Sequence, residues 1–383
     1  MRILIALTYY QPHKSGLTVY AVRQARALAE MGHQVTVLTS QYDPALPERE
    51  HTDGIQVVRL PVAVRLSKGV IMPSMPLQAW KLVGEADVVN LHVPQMDAAL
   101  IAFFAKLRNK PVVLTYHCDL QMPKGLFNQV AGFAAHLANH ISARLADVIV
   151  HNTRDFAEHS SFLRRYLHKL TVIQPPIIGA DVSQVDVHAF YNKFGLDPSR
   201  RIVGMVARLA TEKGVEYLVH AMPEVLRAYP DAQVVFVGEY QQVFGEQAYK
   251  EKLLPMIEPL GDHWAFLGVV SEKDKAAFYE VCDVLVLPSI NSTESFGMVQ
   301  IEALTCGTPV VATDLPGVRQ AVITTGQGKI VPPMNADALA QAIIEILESG
   351  VRVEAKQMLT ISKHYSPQSV AKAYDALFRK LRG

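Results

Sequence analysis

The chain is short of most features that would mark a specialised class. Three cysteines, Cys118, Cys282 and Cys306, among 383 residues are too few and too scattered for a disulfide framework or a paired-cysteine metal site. A reducing, cytoplasmic setting is the expectation. No charge is in surplus: 37 Lys and Arg face 36 Asp and Glu, so net charge gives no support for a nucleic-acid partner. No run reaches the roughly 18 apolar residues of a membrane helix; the longest candidate, 98–105, stops at Lys106. The apolar run 3–7 behind Arg2 leads into Thr8-Tyr9-Tyr10 without a small-residue cleavage site, and reads as a strand, not a signal peptide. GxGxxG and GxxxxGK[ST] are both missing, and the first absence argues against a dinucleotide oxidoreductase. His136 and His140 have the spacing of a zinc pair, but Leu137 stands where HExxH needs its glutamate. No metal is expected. The missing GxSxG elbow argues against an α/β-hydrolase.

What is present is apolar material in a regular order. Half the residues are hydrophobic and 19% are charged, which predicts a packed core and not disorder. The length fits two or three domains. Short apolar runs at 3–7, 35–39, 55–60, 88–91, 112–116, 147–150 and 170–173 alternate with helical patterns. That alternation predicts a parallel sheet with helices on both faces. A stretch marked by Pro and Gly, 174–186, lacks periodicity and reads as a linker. Alternation restarts with strand 202–207, helix 213–228, strand 232–237, helix 245–258, strand 264–267, helix 272–281 and strand 283–287. Two doubly wound α/β domains are expected, 1–180 and 187–362. Ser366-Pro367 starts a last helix, 367–381.

The most informative stretch is 288–312, PSINSTESFGMVQIEALTCGTPVVA. It follows a buried strand, and its loop lies at the strand's carboxyl end, where open α/β sheets bind ligands. A helix is expected from near Phe296 to Gly307. Glu294 precedes that helix and Glu302 lies about two turns inside it. The amides of Phe296, Gly297 and Met298 would offer N–H groups and partial positive charge to a phosphate. Carboxylates that accept from hydroxyls, beside a phosphate-binding helix end, point to a nucleotide sugar.

The pattern P-S-x(n)-E-S-F-G-x(4)-E-A-x(3)-G-x-P-V-V-A resembles the donor-site signature of retaining GT-B glycosyltransferases of family 4 (group 1). The resemblance implies a GT-B fold, two Rossmann-like domains facing across a cleft, with helix 367–381 crossing back to the first. It also implies that Glu294 contacts the donor sugar and Glu302 the ribose, with Ser295, Phe296, Gly297, Met298 and Val299 lining the donor.

Other segments fit the same resemblance. Arg208 at a strand end and Lys213 five residues on would converge on a diphosphate leaving group; 207–214 resembles G-R-L-x(3)-K-G with Ala207 in place of the first Gly. Ser15-Gly16 keeps one glycine of the family's pair, and Gly16 is expected to approach the phosphate. Residues 115–119, TYHCD, resemble T-x-H-S-D, which assigns His117 to the donor sugar near the reacting carbon; Cys118 replaces the usual Ser. Gly238 stands at a G-x-G position whose second glycine is here Tyr240. Leu267 and Val269 fall in a segment resembling the nucleobase wall.

The expected activity is hexosyl transfer from a UDP- or GDP-sugar to a glycan or lipid-linked acceptor, with retention, in cell-surface polysaccharide or glycolipid synthesis. No cofactor is needed. A nonhydrolysing nucleotide-sugar epimerase on the same fold is the near alternative, and an oxidoreductase the distant one. Segments 65–83 and 122–127 mix apolar residues with Lys and Arg, which suggests peripheral contact with the inner face of the cytoplasmic membrane.

Overall fold

A computed structural model describes residues 1–66, 69–119, 126–179, 184–243 and 245–383. The expected linker is therefore described except for 180–183, and most of segment 122–127 lies outside the described residues. The chain divides into two units, Met1–Pro176 with Tyr365–Gly383, and Ile177–His364.

Unit 1 runs β1 (Arg2–Ala6), α1 (Gly16–Glu30), β2 (Gln34–Gln41), β3 (Arg49–Thr52), β4 (Ile55–Pro61), β5 (Val64–Leu66), β6 (Gly69–Ile71), α2 (Met75–Glu85), β7 (Val88–Val93), α3 (Ala98–Leu107), β8 (Val112–Tyr116), α4 (Leu126–Leu145), β9 (Val148–His151), α5 (Arg154–His159) and β10 (Leu170–Val172). Its sheet has the order β10-β9-β8-β7-β1-β2-β4-β3. All neighbours pair in parallel except β3 with β4. The central strands are buried on both faces, which is why they read as continuous apolar runs and not as alternating ones. One face packs α2, α3 and α4 through residues such as Leu82, Ile101 and Ala143. The other packs α1 and the C-terminal helix through Ile5, Tyr20, Leu28 and Phe378.

Unit 2 runs α6 (Gln184–Phe194), β11 (Ile202–Val206), α7 (Val215–Ala228), β12 (Gln233–Val237), α8 (Gln247–Ile257), β13 (Trp264–Gly268), α9 (Glu272–Val281), β14 (Val284–Leu287), α10 (Met298–Thr305), β15 (Val310–Thr313), α11 (Gln320–Thr325), β16 (Gly328–Val331), α12 (Ala336–Ser349) and α13 (Ala355–Tyr365). Its sheet order, β13-β12-β11-β14-β15-β16, reverses direction between β11 and β14. The loops following those two strands therefore flank a switch-point crevice at the sheet's carboxyl end. In unit 1 the same reversal falls between β1 and β7.

The last helix, α14 (Pro367–Arg382), belongs to unit 1. Ser366 caps it by accepting from the Ser369 amide at 3.1 Å. Val370, Ala371, Tyr374, Leu377 and Phe378 recur at helical spacing and are buried. Each large side chain buried this way contributes about 1.5–3 kcal/mol of transfer free energy.

Local structure departs from the sequence pattern in instructive places. The edge strand β3 escapes the pattern because Arg49–Thr52 carries no apolar alternation. Strands β5 and β6 and helix α2 occupy most of the 65–83 segment for which membrane contact is expected. Helix α1 begins at Gly16, because Ser15 supplies its N-cap, accepting from the Thr18 amide at 3.2 Å. Helix α10 begins at Met298 and not at Phe296, because Gly297 takes a left-handed conformation, φ +76°, at its cap.

Candidate active site

In unit 2 the loops after β11 and β14 are tied together across the switch-point crevice. The Ile290 amide donates to the Glu212 carbonyl at 3.1 Å, and the loop after β11 is tied in turn to the loop after β12 by the Leu209 amide, which donates to the Glu239 carbonyl at 2.8 Å. The loop after β12 joins through Gly238, whose amide donates to Gly268 at 2.8 Å. Gly238 has φ +135°, and a β-carbon there would collide with the Ala207 carbonyl. Only glycine fits this crossing of two loops.

The crevice is lined with ion pairs. Lys213 Nζ lies 2.6 Å from Glu294 Oε2, joining residues 81 positions apart. The other carboxylate oxygen, Oε1, accepts from the Gly297 amide at 2.9 Å. This changes the expected phosphate cradle: the Gly297 N–H already serves Glu294. The Phe296 side chain is core, 2% exposed, so that residue contributes only backbone. The first amides of the helix proper are those of Met298 and Val299, which a helix leaves for an outside acceptor. Ser295 is buried beside them.

Arg208 Nη2 lies 2.8 Å from Glu212 Oε1, and Lys213 sits in a short 3-10 turn, Thr211–Lys213, not in the α-helix that follows. Each cation thus has its own carboxylate, a partner the spacing did not reveal. Glu302 lies inside α10, its side chain 8% exposed. It accepts from the Tyr279 hydroxyl at 2.8 Å, and Lys275 Nζ stands 3.4 Å away. Burial, with the Glu302 charge second, pushes the Tyr279 phenol well above its ordinary value, so it remains a donor to Glu302. Leu267 is half-buried in β13 and Val269 is exposed just after it. Tyr240, which replaces the expected glycine, stacks on Phe266 at 4.5 Å and 15°. That ring pair beside Gly268 is a feature the sequence reading passed over.

In unit 1 the corresponding end of the sheet is lined by histidines. His92 is the penultimate residue of β7, His151 ends β9, and His117 follows β8. His92 Nδ1 and His117 Nε2 are 2.9 Å apart. The Tyr20 ring stands edge-on to His117 at 4.9 Å. Burial pushes His92 down to about 3 and His151 down to about 4. His117 is held well below its usual value by burial first, then by His92 and His151. All three are neutral near pH 7, which makes His117 a neutral hydrogen-bonding group and not a cation. Only His117 was singled out in the sequence; the C-terminal position of His92 on an apolar strand was the available signal for its partner.

A buried polar chain supports this end. Gln24 donates to Asn90 at 3.0 Å, Asn90 to Thr115 at 2.9 Å, and Thr115 and Tyr20 each pair with the Tyr374 hydroxyl, at 3.0 and 2.9 Å. Asp119 accepts from Tyr116 at 2.9 Å and from Ser160 at 2.5 Å, fixing the backbone that follows His117. Ser15 and Gly16 lie at the start of α1 beside a cluster of Tyr9, His13 and Tyr42, with Tyr9 stacked on His13 at 4.8 Å. The hydroxyl of Ser15 is engaged in capping. His140, of the zinc-like pair, bonds the Tyr166 hydroxyl at 2.9 Å. Among the described residues, no group of three His, Cys, Asp or Glu is arranged to hold a metal. The three cysteines are reduced, with none in a disulfide.

Two doubly wound units, each with polar side chains gathered at its sheet's carboxyl end, define the GT-B class of glycosyltransferases. Two family models match, "Glycosyl transferase 4-like domain" over residues 15–176 and "Glycosyl transferases group 1" over 187–363. The chain belongs to the group 1 glycosyltransferases, family 4, and is a hexosyltransferase-type enzyme. It is 27% identical over 361 residues to the phosphatidyl-myo-inositol mannosyltransferase of Mycolicibacterium smegmatis, covering 91% of this chain and 85% of that protein. It is 27% identical over 354 residues to the 2-deoxystreptamine N-acetyl-D-glucosaminyltransferase of Streptomyces fradiae, covering 85% and 81%. Among solved structures, HepE of Anabaena in complex with UDP and glucose superposes with a TM-score of 0.78 at 20% identity, over 99% of this chain and all of that one; this likeness concerns the fold.

Proposed function

We propose that the enzyme transfers a hexosyl group from a UDP- or GDP-sugar to a glycan or lipid-linked acceptor, with retention at the anomeric carbon. The Lys213–Glu294 pair at the switch point of unit 2 carries the reading. A nucleoside diphosphate needs positive charge where its bond to the sugar breaks, and a carboxylate beside that charge receives sugar hydroxyls. Arg208 adds a forked cation, and the Met298 and Val299 amides complete an anion-binding helix end. Glu302, held by Tyr279 and Lys275, is assigned to the ribose. Leu267, Val269 and the Tyr240–Phe266 pair are assigned to the base.

His117, kept neutral, is assigned to a donor-sugar hydroxyl. In the reaction the bond between the anomeric carbon and the β-phosphate oxygen breaks. A bond to the acceptor oxygen forms on the same face, and the acceptor proton passes to the departing phosphate. No side-chain nucleophile and no metal is required, because the cations and helix end supply the charge. The name of the mycolicibacterial relative supports a lipid acceptor, and the HepE complex supports a UDP-sugar donor. Unit 1 is assigned to the acceptor and unit 2 to the donor, in the cytoplasm at the inner membrane face.

The test is a thermal-shift panel of UDP-, GDP-, ADP- and dTDP-sugars. One nucleotide class is expected to raise the melting temperature, and Lys213→Ala to abolish the shift. Stabilisation by none of them overturns the reading. Conversion of the sugar without an acceptor would assign an epimerase instead.

A further inference from the structure

Helices α2, α3 and α4 pack side by side over one face of the unit 1 sheet. Their inner sides fill the core. Their outer sides should then be polar, as on an ordinary water-facing helix, and they are not. On α2, Leu77 is 72% exposed and Trp80 39%. On α3, Phe103 and Leu107 are exposed one turn apart. On α4, Phe133, Leu137 and Ile141 recur every four residues and are exposed together, Phe133 at 72%, so they form one stripe. Trp80 meets Phe104 edge-on at 5.4 Å, and Phe103 adjoins Phe104, which joins the α2 and α3 surfaces. Exposed apolar surface spread over three helices is unusual for a water-soluble monomer.

The surroundings of this face are basic. Lys81, Arg108, Lys110, Arg144, Arg164 and Arg165 lie on or beside the three helices and keep contact with solvent. The Arg108 guanidinium lies 3.9 Å over the Trp80 ring, so this cation is part of the apolar patch itself. Among the described residues the acids on or beside the three helices are fewer than the cations: Glu85 ends α2, Asp97 stands at the N-cap of α3, and Asp147 is engaged by Lys106 at 2.5 Å. A two-fold contact with a second copy would bring two cationic rims together. An anionic headgroup layer neutralises them, while Trp, Phe and Leu enter the acyl boundary and Lys and Arg extend to the phosphates.

We propose that the outer face of α2, α3 and α4 docks the enzyme onto an anionic lipid bilayer. This rests on the transferase reading only for its purpose, the delivery of unit 1 to a lipid-linked acceptor. It also relocates the expected membrane contact. Of segment 65–83 only the α2 side chains take part, and the larger share lies on α3 and α4.

The experiment is flotation of the full chain with phosphatidylglycerol-containing vesicles against pure phosphatidylcholine vesicles, at low and high salt. The protein is expected to float with the anionic vesicles at low salt and to be released by high salt. Emission should shift to the blue through Trp80, since the other tryptophan, Trp264, is buried in unit 2. The double variant Phe133→Asp with Leu137→Asp is expected to bind roughly tenfold or more weakly with an unchanged melting temperature. An Arg144→Glu, Arg165→Glu variant is expected to lose the preference for anionic vesicles. Wild-type protein that stays in the soluble fraction, or an apolar-face variant that floats equally well, overturns the proposal. A concentration-dependent dimer that the variant dissolves, without flotation, assigns the face to a second copy and overturns it too. The sugar-nucleotide thermal shift on the same samples separates the two readings, because it is indifferent to this surface.

Discussion

The carboxyl ends of the two sheets use opposite chemistry. In unit 2 the side chains are ionic and paired: Lys213 with Glu294, Arg208 with Glu212, Lys275 with Glu302. In unit 1 they are neutral and aromatic: His92 against His117, edged by Tyr20, over a buried chain of Gln24, Asn90, Thr115 and Tyr374. The contrast teaches how one enzyme can divide its tasks. On the proposed reading, charge is held in reserve for a diphosphate, with carboxylates keeping the lysine and arginine in place. On the same reading, the neutral imidazole of His117 gives a sugar hydroxyl a directional partner without an added charge.

Breaking the ionic side should have the largest effect. Lys213→Ala and Glu294→Ala are each expected to lower transfer by about 10²–10³-fold while circular dichroism and melting remain near wild type. Near-normal turnover in both variants would remove the pair from the mechanism. On the neutral side, His117→Ala is expected to cost about tenfold to a hundredfold in turnover, the worth of one or two directed hydrogen bonds. Nucleotide affinity should be nearly unchanged, since the nucleotide is assigned to unit 2. An equal loss of nucleotide binding would erase the proposed division.

The smallest effect sharpens the comparison through pH. The folded-state values of His92 and His151, about 3 and about 4, lie below the ordinary imidazole value, and His117 is lowered as well. The unfolded chain therefore binds more protons. Stability from these residues is complete above pH of about 6.5 and falls as the pH drops toward the folded values, by about 1.4 kcal/mol per pH unit for each histidine titrating alone. Urea unfolding followed by Trp80 emission between pH 7.5 and 5 should show that loss, and His92→Gln should reduce it. A midpoint that is flat over this range would contradict the buried, neutral state.

The alternation of short apolar runs with helical patterns was enough to read both doubly wound sheets, because strands buried on both faces declare themselves as unbroken apolar segments. Glu294, Lys213, Arg208 and His117 were legible as candidates from their places at strand ends and from the family resemblance. Their partners were not. Residues 81 positions apart, such as Lys213 and Glu294, meet only because the strand order reverses between β11 and β14. Nothing local encodes that reversal. The start of α10 depended in the same way on Gly297 adopting φ +76° and giving its amide to Glu294. Exposure was the hardest property to read. Phe133, Leu137 and Ile141 carry the periodicity of a core-facing stripe, yet they point outward. The sequence by itself determined which residues could form strands, helices and charged loops, since those choices are made by neighbours along the chain. The tertiary structure alone decided which charges are paired, which histidines are stripped of water, and which apolar face remains uncovered, because each depends on what the fold places against it.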